Sequence, residues 1–154
     1  MTRLLQSLSA SPGRTYQAGS LIIEEGTRTG RLFVLRSGRL EISRDGVRVA
    51  LENTPGSVFG EMSLLLGRPH TASVRALAPS ELVVLEDAGQ MLERHPELVN
   101  HIAFTLAQRL ETLTHYLVDV KSQFGDQDSH LSMIDDIVAT LVRRQASAPR
   151  KQVA

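Results

Sequence analysis

The chain has 154 residues, and its 17 basic and 17 acidic side chains cancel at neutral pH. Hydrophobic residues make up 42% and charged ones 22%, a globular balance with enough length for a real core in one domain, or in one domain with a short appendage. The cancelled charge gives no support for non-specific nucleic-acid or membrane-surface binding, and the absence of cysteine excludes disulfides, cysteine catalysis and cysteine-rich zinc sites.

Met1–Leu8 has no continuous apolar h-region, and no run approaches membrane-spanning length, so a cytoplasmic protein is expected. Leu4, Leu5 and Leu8 suit a helical turn that Ser11-Pro12-Gly13 breaks. From Arg14 to Glu86 the chain reads as short strands between turn residues. Leu21-Ile22-Ile23 follows Gly19 and ends at Gly26, and Leu32-Phe33-Val34-Leu35 is a continuous apolar run expected to be buried on both faces. Ser37-Gly38 turns into the alternating Leu40-Glu41-Ile42. Asp45-Gly46 is the strongest hairpin signal, since both residues tolerate positive φ. Val47, Val49 and Leu51 then alternate with Arg48 and Ala50. After Pro55-Gly56 and an interruption at Gly60–His70 come Ser73–Leu77 and Leu82–Leu85. Evenly spaced strands of this kind predict a sandwich or jelly roll.

Near Asp87 the period changes. Val99, Ile102, Leu106, Leu110, Leu113, Leu117, Val120 and Phe124 recur at alternating steps of three and four, a heptad seam of about three and a half repeats. Pro96 suits the first turn of such a helix. A helix this long cannot hide its whole stripe against a small β-roll, so a homodimer through residues 96–124 is expected; packing on its own roll is the alternative. Gly125–Ser129 ends the helix, and Asp128 or Ser129 can cap another whose apolar face is Leu131, Ile134, Val138, Leu141 and Val142. The expected organisation is a β-roll over 1–95, a long helix over 96–124, a short amphipathic helix over 129–144 and a disordered tail over 145–154.

The segment Phe59-Gly60-Glu61-Met62-Ser63-Leu64-Leu65-Leu66-Gly67-Arg68-Pro69-His70-Thr71-Ala72-Ser73-Val74 stands apart. A Gly-Glu pair opens a very short apolar helix, a Gly-x-Pro turn follows, and a β-branched strand resumes. First-turn amides have no partner within their own helix and attract phosphate. Glu61 at the helix mouth suits hydrogen bonds from sugar hydroxyls, or simply complements the helix dipole.

This string resembles the phosphate-binding cassette of cyclic-nucleotide-binding domains, the family of the catabolite activator protein and the kinase regulatory subunits, over roughly Tyr16 to Gln123. The resemblance implies a mainly β jelly-roll-like β-roll followed by a long C-terminal dimerisation helix and a short further helix. It implies pocket-lining backbone at Gly60, Met62 and Ser63, a ribose contact from Glu61, and phosphate contacts from positions 70 and 71, which here are His70 and Thr71. The family carries arginine where this chain has His70. Imidazole is shorter, offers one donor in that direction and is about half charged near pH 6.5, so weaker, pH-sensitive binding or loss of binding is implied. Arg68 and Arg75 are possible substitutes, though Arg75 alternates with Val74 and is expected to point away; otherwise His70 is a solvated loop residue. The long helix covers the purine in the family, placing Thr112, Leu113, Thr114 and Tyr116 as base-contact candidates, with Thr114 selected.

The expected function is a non-catalytic regulatory module binding cAMP or cGMP, with no metal and no other cofactor, that signals through the C-terminal helix. A degenerate fold acting as a dimeric protein-interaction module, or a truncated transcription regulator, are the alternatives. About thirty residues follow Phe124, too few for a three-helix DNA-reading head, so no nucleic-acid partner is expected for this chain alone. No Gly-x-Ser-x-Gly elbow or Walker loop is present, and the five histidines form no His-x-His pair, so neither catalysis nor metal ligation is expected.

Overall fold

The computed structural model describes Gln6, Leu8, residues 10–123 and residues 131–146. The expected turn through Leu4 and Leu5, Phe124, the caps at Asp128 and Ser129, and the tail beyond Ala146 lie outside the described residues. Eight strands come first: β1 Gly13–Tyr16, β2 Leu21–Ile23, β3 Leu32–Ser37, β4 Leu40–Arg44, β5 Val47–Glu52, β6 Val58–Phe59, β7 Ser73–Ala76 and β8 Ser80–Leu85. Helix α1 Glu61–Leu66 interrupts them, and α2 Ala88–Arg94, α3 Pro96–Gln123 and α4 Leu131–Ala146 follow. The chain divides into two compact units, Met1–Thr105 and Leu106–Ala154.

In the first unit the strands form two antiparallel four-stranded sheets, ordered β1-β8-β3-β6 and β2-β7-β4-β5. Phe33, Leu35, Phe59 and Leu82 from the first sheet and Ile23, Leu40, Val74 and Ala76 from the second make one buried cluster. The β-roll with helices is the fold expected from the residue pattern. Side chains alternate across a strand, so Leu32 and Val34 face away from that cluster, yet both are buried, as the unbroken apolar run required. Leu98 and Ile102, from the opening turns of α3, are buried in the same unit, and the His101 ring Nε2 meets the Gly56 carbonyl at 2.9 Å. Val99, placed on the seam by its spacing, is 41% exposed, so the face of α3 that enters this core is the Leu98/Ile102 face.

Asp45 and Gly46 both adopt positive φ, 50° and 75°, in the β4–β5 turn. The alternation in β5 does not bury its apolar side, however. Val47, Val49 and Leu51 are all exposed, because β5 is the edge strand of its sheet and a register shift falls opposite Ile42 and Ser43. Helix α2 was not anticipated as a separate element. Pro96 disfavours helical geometry at the preceding residue, and His95, at φ −125° and ψ 80°, separates α2 from α3.

The second unit holds the rest of α3 together with α4. Lys121 forms an ion pair with Asp135. Leu110, Leu113, Tyr116 and Val118 are exposed, as are Met133, Ile137 and Leu141 on α4, whereas Leu106, Leu117, Val120, Ile134 and Val138 are half-buried. None of the described helices is long and apolar enough to cross a membrane.

Candidate functional site

Strand β6 delivers the chain to the site. Phe59 pairs with Phe33 and is buried, which fixes the point where the strand ends and Gly60 begins. Gly60 is left-handed, with φ 91° and ψ −6°. A Cβ there would lie 2.6 Å from the Arg31 carbonyl oxygen and 3.5 Å from His70 Cε1. Glycine is therefore required twice, by its dihedral angles and by the close approach of the β2–β3 loop.

Helix α1 opens directly on Glu61, whose side chain is 5% exposed. A buried carboxylate in a short surface cassette is uncommon, since acidic groups stay at the surface unless they are paired. Met62 beside it is exposed and Ser63 is half-buried. Gly67, also left-handed, closes the helix by donating its N–H to the Ser63 carbonyl, and the Arg68 N–H donates to the same oxygen at 3.2 Å. The Ser63 hydroxyl in turn donates to the Arg68 carbonyl at 2.5 Å. Ser63 thus ties the far end of the cassette back to its first turn.

His70 is not the solvated loop residue that a turn position suggested. It is 5% exposed. Its N–H donates to the Thr27 carbonyl and its own carbonyl accepts from the Gly26 N–H, each at 2.8 Å. The ring Nε2 lies 2.9 Å from Thr29 Oγ1, which also accepts the Arg31 N–H at 3.3 Å. Burial pushes the imidazole below its ordinary pKa, because the charged form loses hydration. Thr71, the next residue, is half-buried.

Of the arginines near the cassette, Arg31 pairs with Glu86, which also reaches Arg14 at 3.3 Å. Arg75 points outward between the buried Val74 and Ala76, as alternation predicted, and donates to the Gly19 carbonyl at 2.6 Å. Gly60, Glu61, Met62 and Ser63 thus form one turn with the His70 ring against its glycine. Thr114 belongs to the second unit, where its hydroxyl donates to the Leu110 carbonyl at 2.8 Å. The clasp from Gly26, Thr27, Thr29 and Arg31 had no signal in the sequence beyond a turn-rich stretch, because its bonds join residues about forty positions apart along the chain. Among the described residues no group of three or more His, Asp or Glu side chains is placed to hold a metal ion.

The sequence profile described as "Cyclic nucleotide-binding domain" matches residues 13–95, more than half of the chain. Among curated proteins, the cGMP-dependent protein kinase egl-4 of Caenorhabditis elegans is 34% identical over 119 residues, 73% of this chain and 15% of the kinase. The cyclic AMP receptor protein of Thermus thermophilus is 33% identical over 110 residues, 68% of this chain and 51% of that protein. The chain thus spans about half the length of the receptor and a far smaller share of the kinase. Among solved structures, the Thermus thermophilus catabolite activator protein superposes with a TM-score of 0.62 at 30% identity, covering 77% of this chain and 58% of that one. The domain PKAR CBD2, solved with Sp-2Cl-cAMPS bound, shares the fold with a TM-score of 0.57 at 22% identity, covering 84% of this chain and 83% of that one. The double four-stranded roll, the Gly60–Glu61 turn within it and the matched profile agree: the chain belongs to the cyclic nucleotide-binding domain family.

Proposed function

We propose that this chain is a non-catalytic regulatory module that binds a cyclic nucleotide, cAMP or cGMP, in the cassette and signals through the C-terminal helix. The observation that carries the reading is the buried Glu61 carboxylate directly after a left-handed glycine on which a Cβ would clash, inside a matched cyclic nucleotide-binding domain. In this reading Glu61 accepts hydrogen bonds from the ribose, and the backbone of Gly60, Met62 and Ser63, with His70 and Thr71, lines the phosphate. Thr114 approaches the base, and the chain pairs with a second copy through residues 96–124. The roll over 1–95 binds, and the helix reports the bound state through a difference in affinity between its two arrangements.

A second reading is favoured by one observation. His70 stands where the family carries arginine, and its ring is buried against Gly60 and Thr29. A degenerate pocket in a dimeric protein-interaction module would tolerate this. Thermal denaturation with millimolar cAMP or cGMP separates the two. A ligand that binds only the folded state at one hundred times its Kd adds about 2.7 kcal/mol. A rise in Tm that Glu61→Ala abolishes supports the binding module. An unchanged Tm with both nucleotides favours the interaction module.

A further inference from the structure

We propose that Arg28 and Arg68, rather than the side chain at position 70, supply the positive charge for the ligand's phosphate; this rests on the reading of the cassette as a cyclic-nucleotide site. A phosphodiester is a monoanion, and guanidinium meets it with a permanent charge and parallel donors. The His70 ring is buried, and its Nε2 is engaged by Thr29. Arg31 is paired with Glu86, and Arg75 lies on the outer face of its sheet, bonded to the Gly19 carbonyl. Arg28 and Arg68 differ from both. Each is exposed, and among the described residues neither side chain has a hydrogen-bond or ion-pair partner.

Their main chains are fixed at the site although their side chains are not. Arg28 lies between Thr27, whose carbonyl accepts the His70 N–H, and Thr29, whose hydroxyl meets the His70 ring. Arg68 lies two residues before His70, and two hydrogen bonds hold its backbone to Ser63, one in each direction. Two free cations therefore project from two loops that are clasped together at His70. Loss of the family's arginine then removes one charged donor without leaving the site neutral, and the replacement charge comes from both sides of the cassette's end. Arginine charge does not titrate near neutrality, so this contribution persists at alkaline pH and weakens with salt.

Calorimetric titration of the full chain with cAMP and with cGMP tests this, using Arg28→Ala, Arg68→Ala, the double variant and Arg75→Ala as a charge-matched control. Each single variant is expected to bind about fivefold more weakly, the double variant about twenty-fivefold, and Arg75→Ala within about twofold of the parent. The side chains are exposed and unpartnered, so urea midpoints should match the parent. A salt series on the unmodified chain gives an independent readout, with affinity falling as salt rises. If the parent binds and the double variant binds equally well, this inference fails while the cyclic-nucleotide reading stands. If the parent binds neither nucleotide, the cyclic-nucleotide reading fails and takes the inference with it.

Discussion

At position 60 two independent penalties act on any side chain. The left-handed conformation alone costs an L-residue about 1–2 kcal/mol, and a Cβ would sit 2.6 Å from a carbonyl oxygen of a loop that His70 holds in place. Gly60→Ala should therefore lower unfolding free energy by about 3 kcal/mol or more in urea denaturation. A loss below about 1 kcal/mol would mean that the β2–β3 loop yields at little cost. His70 carries a different signature. Its folded-state pKa is depressed by burial, so below about pH 6.5 the unfolded chain takes up a proton that the folded chain resists. The stability tied to the neutral ring is complete above that pH and declines as the solution is acidified toward the folded-state pKa. The urea midpoint of the parent should fall more between about pH 7.5 and about pH 5.5 than that of His70→Gln, whose side chain does not titrate. Parallel curves would show that burial of the ring is not felt. His70→Arg should strengthen cyclic-nucleotide binding by about tenfold through charge-assisted donors while costing about 1–3 kcal/mol of stability, because the larger side chain must fit a space closed by Gly60 and Thr29.

The elements written in the sequence are those whose cause is local. The unbroken Leu32–Leu35 run became a strand buried on both faces, Asp45-Gly46 became a turn of two positive-φ residues, and Gly60-Glu61 opened a six-residue helix. What the sequence hid depends on neighbours distant along the chain. The apolar alternation of β5 is indistinguishable from that of a half-buried strand until its edge position leaves Val47, Val49 and Leu51 uncovered. Val49→Thr should then change stability by less than about 0.5 kcal/mol, whereas Leu40→Ala or Leu82→Ala, in the fully buried cluster, should cost about 2–5 kcal/mol. A cost above about 1.5 kcal/mol for Val49→Thr would show that the strand is covered in solution. Likewise, the heptad spacing selected both Val99 and Ile102, but the roll takes Ile102 together with the off-seam Leu98 and leaves Val99 exposed. Farther along α3, Leu110 and Leu113 are exposed on the stripe that the proposed dimer would use. Replacing both with lysine should convert a sedimenting dimer to a monomer and leave the far-ultraviolet circular dichroism of the roll intact. A parent chain that sediments as a monomer at tens of micromolar would remove the dimer from the account.

Across the whole molecule, the matched family occupies the first unit, which contains the cassette, and the second unit holds most of the long helix and α4. The candidate site was legible as a string from Phe59 to Val74, because a glycine turn, a carboxylate and a closing glycine are all within one short segment. The support of that string was not legible. The loop from Gly26 to Arg31 holds His70 by main-chain and side-chain bonds that no local pattern encodes. The central claim is that a cyclic phosphodiester docks beside Glu61, in the turn that Gly60 opens. Calorimetric titration of the full chain with cAMP and cGMP at about pH 6 and about pH 8 tests it most directly. The predicted result is saturable binding at both pH values, one nucleotide per chain, strongly weakened by Glu61→Ala. Absence of binding heat at both pH values with either nucleotide at millimolar concentration, or binding indifferent to Glu61→Ala, would contradict it.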